Sequence, residues 1–136
     1  MAEVSLSFEI PAADEYRRLR RIAGLSEKSV EGAAAGLPNT IVGVVARADD
    51  TVVGMGRVIG DGGLFFQIVD VAVHPAHQGR GIGKRIMAAL LDRLRTTAPK
   101  GAYVSLIADG EAHRLYTQFG FRPTAPASIG MALTLD

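Results

Sequence analysis

The heptapeptide Gln78-Gly79-Arg80-Gly81-Ile82-Gly83-Lys84 constrains this chain more than any other stretch. The apolar run Ile68-Val69-Asp70-Val71-Ala72-Val73 leads into it through the turn signal His74-Pro75, and a strongly amphipathic segment follows. The glycines therefore stand where a strand hands over to a helix. A glycine-rich turn at that place lets backbone N–H groups approach a phosphate without interference from Cβ atoms, and the helix N-terminus adds a positive field. The pattern points to a site for the pyrophosphate of a nucleotide-like cofactor. The alternative is a tight turn that binds nothing.

Spacing separates the cofactor classes. A P-loop needs glycine where Gln78 stands and Ser or Thr where Arg85 stands. A dinucleotide fingerprint built on Gly79 and Gly81 needs its third glycine at Lys84. What remains is Gln-x-x-Gly-x-Gly.

The 136 residues suit one domain over residues 1–136 with a core of its own. A net charge of +1 supplies no global drive toward nucleic acid or an anionic membrane, and only the first helix is basic, without interleaved stacking aromatics. Cysteine is absent, which removes disulfides, thiolate catalysis and cysteine–zinc sites. Three scattered histidines lack metal-binding spacing, so no metal is expected. No apolar run approaches the roughly 20 residues needed to span a bilayer. The start Met1-Ala2-Glu3-Val4-Ser5 has neither the basic start nor the apolar core of a signal peptide, so a cytoplasmic location is expected.

Periodicity gives the order β-α-α-β-β-β-α-β-α-β-β. Leu6, Phe8 and Ile10 alternate as a first strand. Asp14 can cap a helix through about Ala23, with Tyr16, Leu19, Ile22 and Ala23 inward and Arg17, Arg18, Arg20 and Arg21 on the other faces. Ser26 opens a second helix that ends near Gly36. Thr40–Ala48 and Thr51–Ile59 form a hairpin through Asp49-Asp50, and Leu64–Val73 is the next strand. From Gly81 to about Thr97, Ile82, Ile86, Met87, Leu90, Leu91 and Leu94 make one apolar stripe. Ala102–Ala108 reads as a buried strand. Asp109 can cap a short helix whose Ala112, Leu115, Tyr116 and Phe119 share a face, with Gly120 ending it. Phe121-Arg122 and Met131–Leu135 read as further extended pieces.

The glycine turn resembles the acyl-CoA signature of the GNAT superfamily of N-acetyltransferases. The element order is that of the GNAT fold, and Ala112-x-x-Leu115-Tyr116-x-x-x-Gly120-Phe121 looks like the family's segment after its fifth strand. The resemblance covers nearly the whole chain and is weakest over residues 1–40. It implies an α/β fold: a single mixed, mostly antiparallel sheet with a splayed central pair of strands and about four helices. It further implies acetyl-CoA as co-substrate. Backbone groups of Val71, Ala72 and Val73 would pair with the pantetheine arm, and those from Gln78 and Gly79 through Arg80, Gly81, Ile82, Gly83 and Lys84 would hold the pyrophosphate. Side chains of Arg80, Lys84 and Arg85 either touch the cofactor or face water.

Tyr116 stands where the family places its general acid; the competing reading is a core aromatic. Many family members have Asn where this chain has Asp109, so its roles are cofactor contact or helix capping. Some relatives carry a basic Glu at the position of Gln67. Asp70 is the nearest carboxylate on that strand, either starting the proton route from the amine or serving structure. A regular strand puts Gln67 and Asp70 on opposite faces, whereas a bulge changes that parity. The acceptor pocket falls to residues Tyr16–Asn39 and Pro123–Met131, where Glu27 and Glu31 either attract a cationic amine or are solvated. Phe65 and Phe66 shape an acceptor wall or pack in the core.

The implied function is transfer of acetyl from acetyl-CoA to a primary amine, first of a small metabolite. Alternatives are acetylation of a protein N-terminus or lysine, and a non-catalytic acetyl-CoA-binding regulatory module. A homodimer is compatible with the resemblance.

Overall fold

A computed structural model describes residues 3–136. The reading of Met1 and Ala2 as part of a leaderless start lies outside the described residues. The chain divides into two compact units, one ending at Leu106 and the other spanning Ile107–Asp136.

The first unit is a five-stranded sheet in the order β1-β2-β3-β4-β5, made of Val4–Phe8, Val42–Ala48, Thr51–Gly60, Phe65–Val73 and Tyr103–Leu106. The first three pairings are antiparallel and β4–β5 is parallel. The β2–β3 hairpin closes on Asp49 and Asp50, both at positive φ, 49° and 66°. That backbone is the one whose twist matches the flanking strands, and aspartate tolerates it.

Helix α3 (Ile82–Thr97) packs on one face of the sheet against β2, β3 and β4. Its stripe Ile82, Ile86, Met87, Leu90, Leu91 and Leu94 is buried throughout, and each such side chain contributes about 1.5–3 kcal/mol. Close approach depends on Gly56, where an added Cβ would lie 2.7 Å from Ile86 and 2.9 Å from Leu90. Helix α1 (Ala13–Ile22) covers the other face against β3 and β4, with α2 (Val30–Gly36) beside it. Tyr16 and Leu19 of α1 join Ala33, Leu37, Val45, Val52, Met55 and Ala72 in a buried cluster.

Three local expectations change. Helix α1 begins after Ala12, not under an Asp14 cap, because Asp14 Oδ1 accepts from the N–H of Glu15 instead. Helix α2 starts at Val30, since Ser29 rather than Ser26 caps it by accepting from Gly32 N–H. Strand β5 is shorter than Ala102–Ala108 and only half-buried, because it is the edge of the sheet.

In the second unit a 3-10 turn (Gly110–Ala112) runs into α4 (His113–Thr117). Ala112, Leu115, Tyr116 and Phe119 share its half-buried face, while His113, Arg114, Thr117 and Gln118 are exposed. Gly120, at φ +92°, ends the segment. The expected strands at Phe121-Arg122 and Met131–Leu135 do not form: residues 121–136 carry no helix or strand. Alternation requires a neighbouring ladder to become a strand, and the backbone bond from Ser128 N–H to Thr124 O within this stretch closes only a turn.

Candidate active site

The glycine turn forms as the sequence implies. His74 Nδ1 accepts from Ala76 N–H at 3.0 Å and starts a 3-10 turn at Pro75. Gln78 Nε2 reaches back 3.0 Å to the carbonyl of Val73, tying the turn to the end of β4. Gly79 and Gly81 sit at φ +79° and +77°, and an added Cβ at either would meet nothing within 4 Å. Conformation, not space, therefore demands glycine there.

Gly81 is the N-cap of α3 and offers no side-chain cap, and the first turn holds no acidic residue. The first bond back to the cap comes from Arg85 N–H to Gly81 O at 3.0 Å. The amides of Ile82, Gly83 and Lys84 thus lie at an uncompensated positive helix end, the donor set that suits a phosphate oxygen. Lys84 and Arg85 are exposed, and Arg85 donates to Val4 O at 3.2 Å. Arg80 Nη1 lies 2.9 Å from His77 Nδ1.

The splayed pair is also present. Strand β5 pairs with Phe65 to Ile68 of β4 and stops at Leu106, so no strand of the sheet pairs with the second edge of Val69 to Val73. An extended chain could add to that edge by backbone hydrogen bonds. The residues expected to meet the pantetheine arm, Val71 to Val73, lie there.

Asp70 sits on a bulge. Arg57 pairs with Val69 and Met55 with Ala72, so two residues of β4 oppose Gly56. Asp70 takes φ +59°. By alternation Gln67 shares the face of Val69 and Arg57, and the contacts of Asp70 place it on that face too. The bulge therefore puts Gln67 and Asp70 together.

The Asp70 side chain is 5% exposed and held from three sides. Arg20 Nη1 lies 2.5 Å from Oδ1, Arg57 Nη1 is 2.7 Å from Oδ2, and the Tyr16 hydroxyl donates to Oδ1 at 3.0 Å. Arg20 also donates to the carbonyl and hydroxyl of Ser26, and Arg57 Nε to Thr40 Oγ1. Two guanidinium groups and a phenol fix this carboxylate in place, the arrangement of a structural anchor. Burial, the Asp70 charge and this hydrogen bond push the Tyr16 phenol pKa up.

The sequence reading places Arg20 away from the inward face of its helix and gives Arg57 no role, yet both are 7% exposed. A usable signal existed: Arg57 interrupts the apolar Val52–Ile59 run as Asp70 interrupts Ile68–Val73. Two opposite charges in neighbouring buried strands call for each other.

A cavity of about 160 Å³ opens beside this cluster. Tyr16, Arg57, Lys28 and Ser29 line it together with Gly32, Ala33, Gly36 and Leu37. It lies within the stretch expected to hold the acceptor. Glu27 is not among its walls; it pairs with Arg21 at 3.6 Å on the surface, and Glu31 is exposed. Phe66 is core, whereas Phe65 is exposed and meets Tyr103 edge-on at 6.1 Å.

In the second unit Tyr116 is half-buried, its ring 6.5 Å from Phe121 in an edge contact. Burial, and after it the Asp109 charge, push the phenol pKa up. Asp109 occupies the cap position but forms no side-chain cap; its carbonyl accepts from Ala112 N–H at 3.0 Å. The capping expected of its carboxylate is thus supplied by the backbone.

The acetyltransferase (GNAT) domain family matches residues 39–123. This chain belongs to the GNAT acetyltransferase family. It is 44% identical to a protein of unknown function, probable acetyltransferase, from meticillin-resistant Staphylococcus aureus, covering 98% of this chain and 100% of that one at a TM-score of 0.93. It is 31% identical over 83 residues to an uncharacterized N-acetyltransferase of Porphyra purpurea, covering 60% of this chain and 47% of that protein. The chain spans less than half the length of the curated relatives it matches, 37–47%. A GNAT acetyltransferase from Brucella melitensis, solved in complex with acetyl-CoA, shares the fold at 23% identity and a TM-score of 0.64, over 90% of this chain and 84% of that one. Among the described residues no helix is long and apolar enough to cross a membrane.

Proposed function

We propose that this protein transfers an acetyl group from acetyl-CoA to the primary amine of a small metabolite. The observation that carries the reading is the uncapped α3 N-terminus, with Gly79 and Gly81 in left-handed conformation, following directly on the unpaired edge of β4. The amides of Gly79 to Lys84 would hold the pyrophosphate, and the backbone of Val71 to Val73 the pantetheine arm. Acetyl-CoA supplies an activated acetyl thioester.

The amine nitrogen forms a bond to the acetyl carbon, and the carbon–sulfur bond breaks. Tyr116 gives its phenol proton to the leaving sulfur, and the proton lost by the amine restores the phenol through solvent. Burial and the Asp109 charge leave the phenol in its protonated form, the form from which a proton donor must start. Asp70 is assigned as a positioning residue that fixes the bulge rather than as the base. The test is thiol release from acetyl-CoA across a panel of amines. Release that depends on amine and yields the N-acetyl product supports the reading; cofactor binding without release for any amine or peptide would leave a regulatory acetyl-CoA-binding module.

A further inference from the structure

We infer that the amine acetylated by this protein also carries an anionic group, a carboxylate or phosphate, seated in the cavity beneath α1 and α2. This inference rests on the acetyltransferase reading for the identity of the substrate, but not for the existence of the anion site.

The charge of the cavity wall carries it. Among the described residues the charged ones that line it, Lys28 and Arg57, are both cations, and no carboxylate joins them. Behind the wall the balance is the same, with Arg20 and Arg57 sharing the single carboxylate of Asp70. Arg57 is buried, and its Nε and Nη1 are committed to Thr40 and Asp70. Its Nη2 makes only a long contact of 3.5 Å to Gly36 O, so that edge can take a stronger acceptor. Ser29 accepts from Gly32 N–H through its hydroxyl oxygen, which leaves its own proton to donate. Lys28 forms no ion pair among the described residues. An ammonium, a guanidinium edge and a hydroxyl proton are three donors to one anion.

Size and shape agree. A cavity of about 160 Å³ takes a group of several heavy atoms, not an acyl chain or peptide. Gly32, Ala33 and Gly36 make the room, and Tyr16 supplies a flat wall. A cationic amine group would meet only like charge here. The anion therefore occupies the cavity and the amine projects from it. Tyr16 and Arg57 are both bonded to Asp70 on the bulge next to Val71, so the seat is rigidly tied to the strand edge assigned to the cofactor.

The test uses short amines of one chain length ending in a carboxylate, a carboxamide, a phosphate or an alcohol, with thiol release as readout. The charged members should exceed their neutral counterparts in kcat/KM by about 10-fold or more, as a charge-assisted contact implies. The carboxylate and phosphate arms distinguish the two anions. Lys28→Gln should remove most of the preference, and Gly36→Leu should abolish it by filling the cavity, with the Kd for acetyl-CoA unchanged. Arg57 is avoided because its loss endangers the fold.

A second arm needs no cofactor. A carboxylate or phosphate lacking the amine is titrated against the whole protein while the amide resonances of Ser29 to Leu37 are followed. Saturable shifts in the wild type that vanish in Gly36→Leu support the site, even if acetyl-CoA does not bind. Acetyl-CoA turnover with equal use of neutral and charged amines and no shifts would overturn the inference while leaving the transferase reading intact.

Discussion

Arg57 and Asp70 stand on neighbouring strands with Arg57 Nη1 2.7 Å from Asp70 Oδ2, both side chains almost wholly buried. The pair exists because β4 carries one extra residue at this point, which turns Asp70 toward α1 and α2. It anchors the bulge, the cavity wall and helix α1 at once.

Removing the Asp70 charge leaves two buried guanidinium groups without a counter-ion. Asp70→Asn, which still tolerates positive φ, should cost about 3 kcal/mol or more and lower Tm clearly. Activity in the protein that remains folded should fall by the same factor at every pH. Unchanged Tm with a loss confined to pH values where the amine is protonated would make Asp70 the base.

Glu9 is held by Arg47 in a two-point contact, 2.6 and 2.8 Å, and by the Ser7 hydroxyl. The Arg47 bond above all lowers its pKa from 4.5 to about 2. A depressed carboxylate stabilises the fold above its unfolded pKa, and that contribution drains away as pH falls through the folded one. The site is partly solvated, so the contribution is screened to about 1 kcal/mol. Glu9→Gln should be less stable than wild type at pH 7, and the two denaturation midpoints should converge between pH 4.5 and pH 2. A difference that persists at pH 2 would contradict the assignment.

Tyr116→Phe should keep packing and acetyl-CoA affinity but lower kcat by about 10²–10⁴-fold, the range of general acid–base catalysis. Unaltered kcat over the whole pH range would reduce Tyr116 to a packing residue.

Asp109 contributes to the raised phenol pKa through its charge. Asp109→Asn should therefore lower the Tyr116 pKa, followed by its ring resonances in an alkaline titration. An unmoved or raised pKa would show that burial acts alone.

Most of the first unit was legible because its signals are local. The α3 stripe, the Asp49-Asp50 turn and the glycines before α3 each specify their own backbone. The bulge was not, since an alternating pattern cannot show which residue is extra until β3 fixes the register. Arg20 was misplaced for a related reason: on a helical wheel it borders the polar side, and its charged partner Asp70 lies 50 residues away. Met131 to Leu135 erred in the opposite sense, with the strand period but no ladder to join. In the site, the left-handed glycine backbone ahead of α3 followed from sequence, whereas the cavity charge depended on Arg57 of β3 reaching Gly36 of α2.

Calorimetric titration of the protein with acetyl-CoA, beside a Gly81→Val variant, tests the central claim most directly. Binding by the wild type, strongly weakened in a folded Gly81→Val protein, is the predicted result, because valine resists positive φ and the α3 amides then lose their arrangement. Absence of binding by folded wild type, or equal binding by the variant, would contradict it.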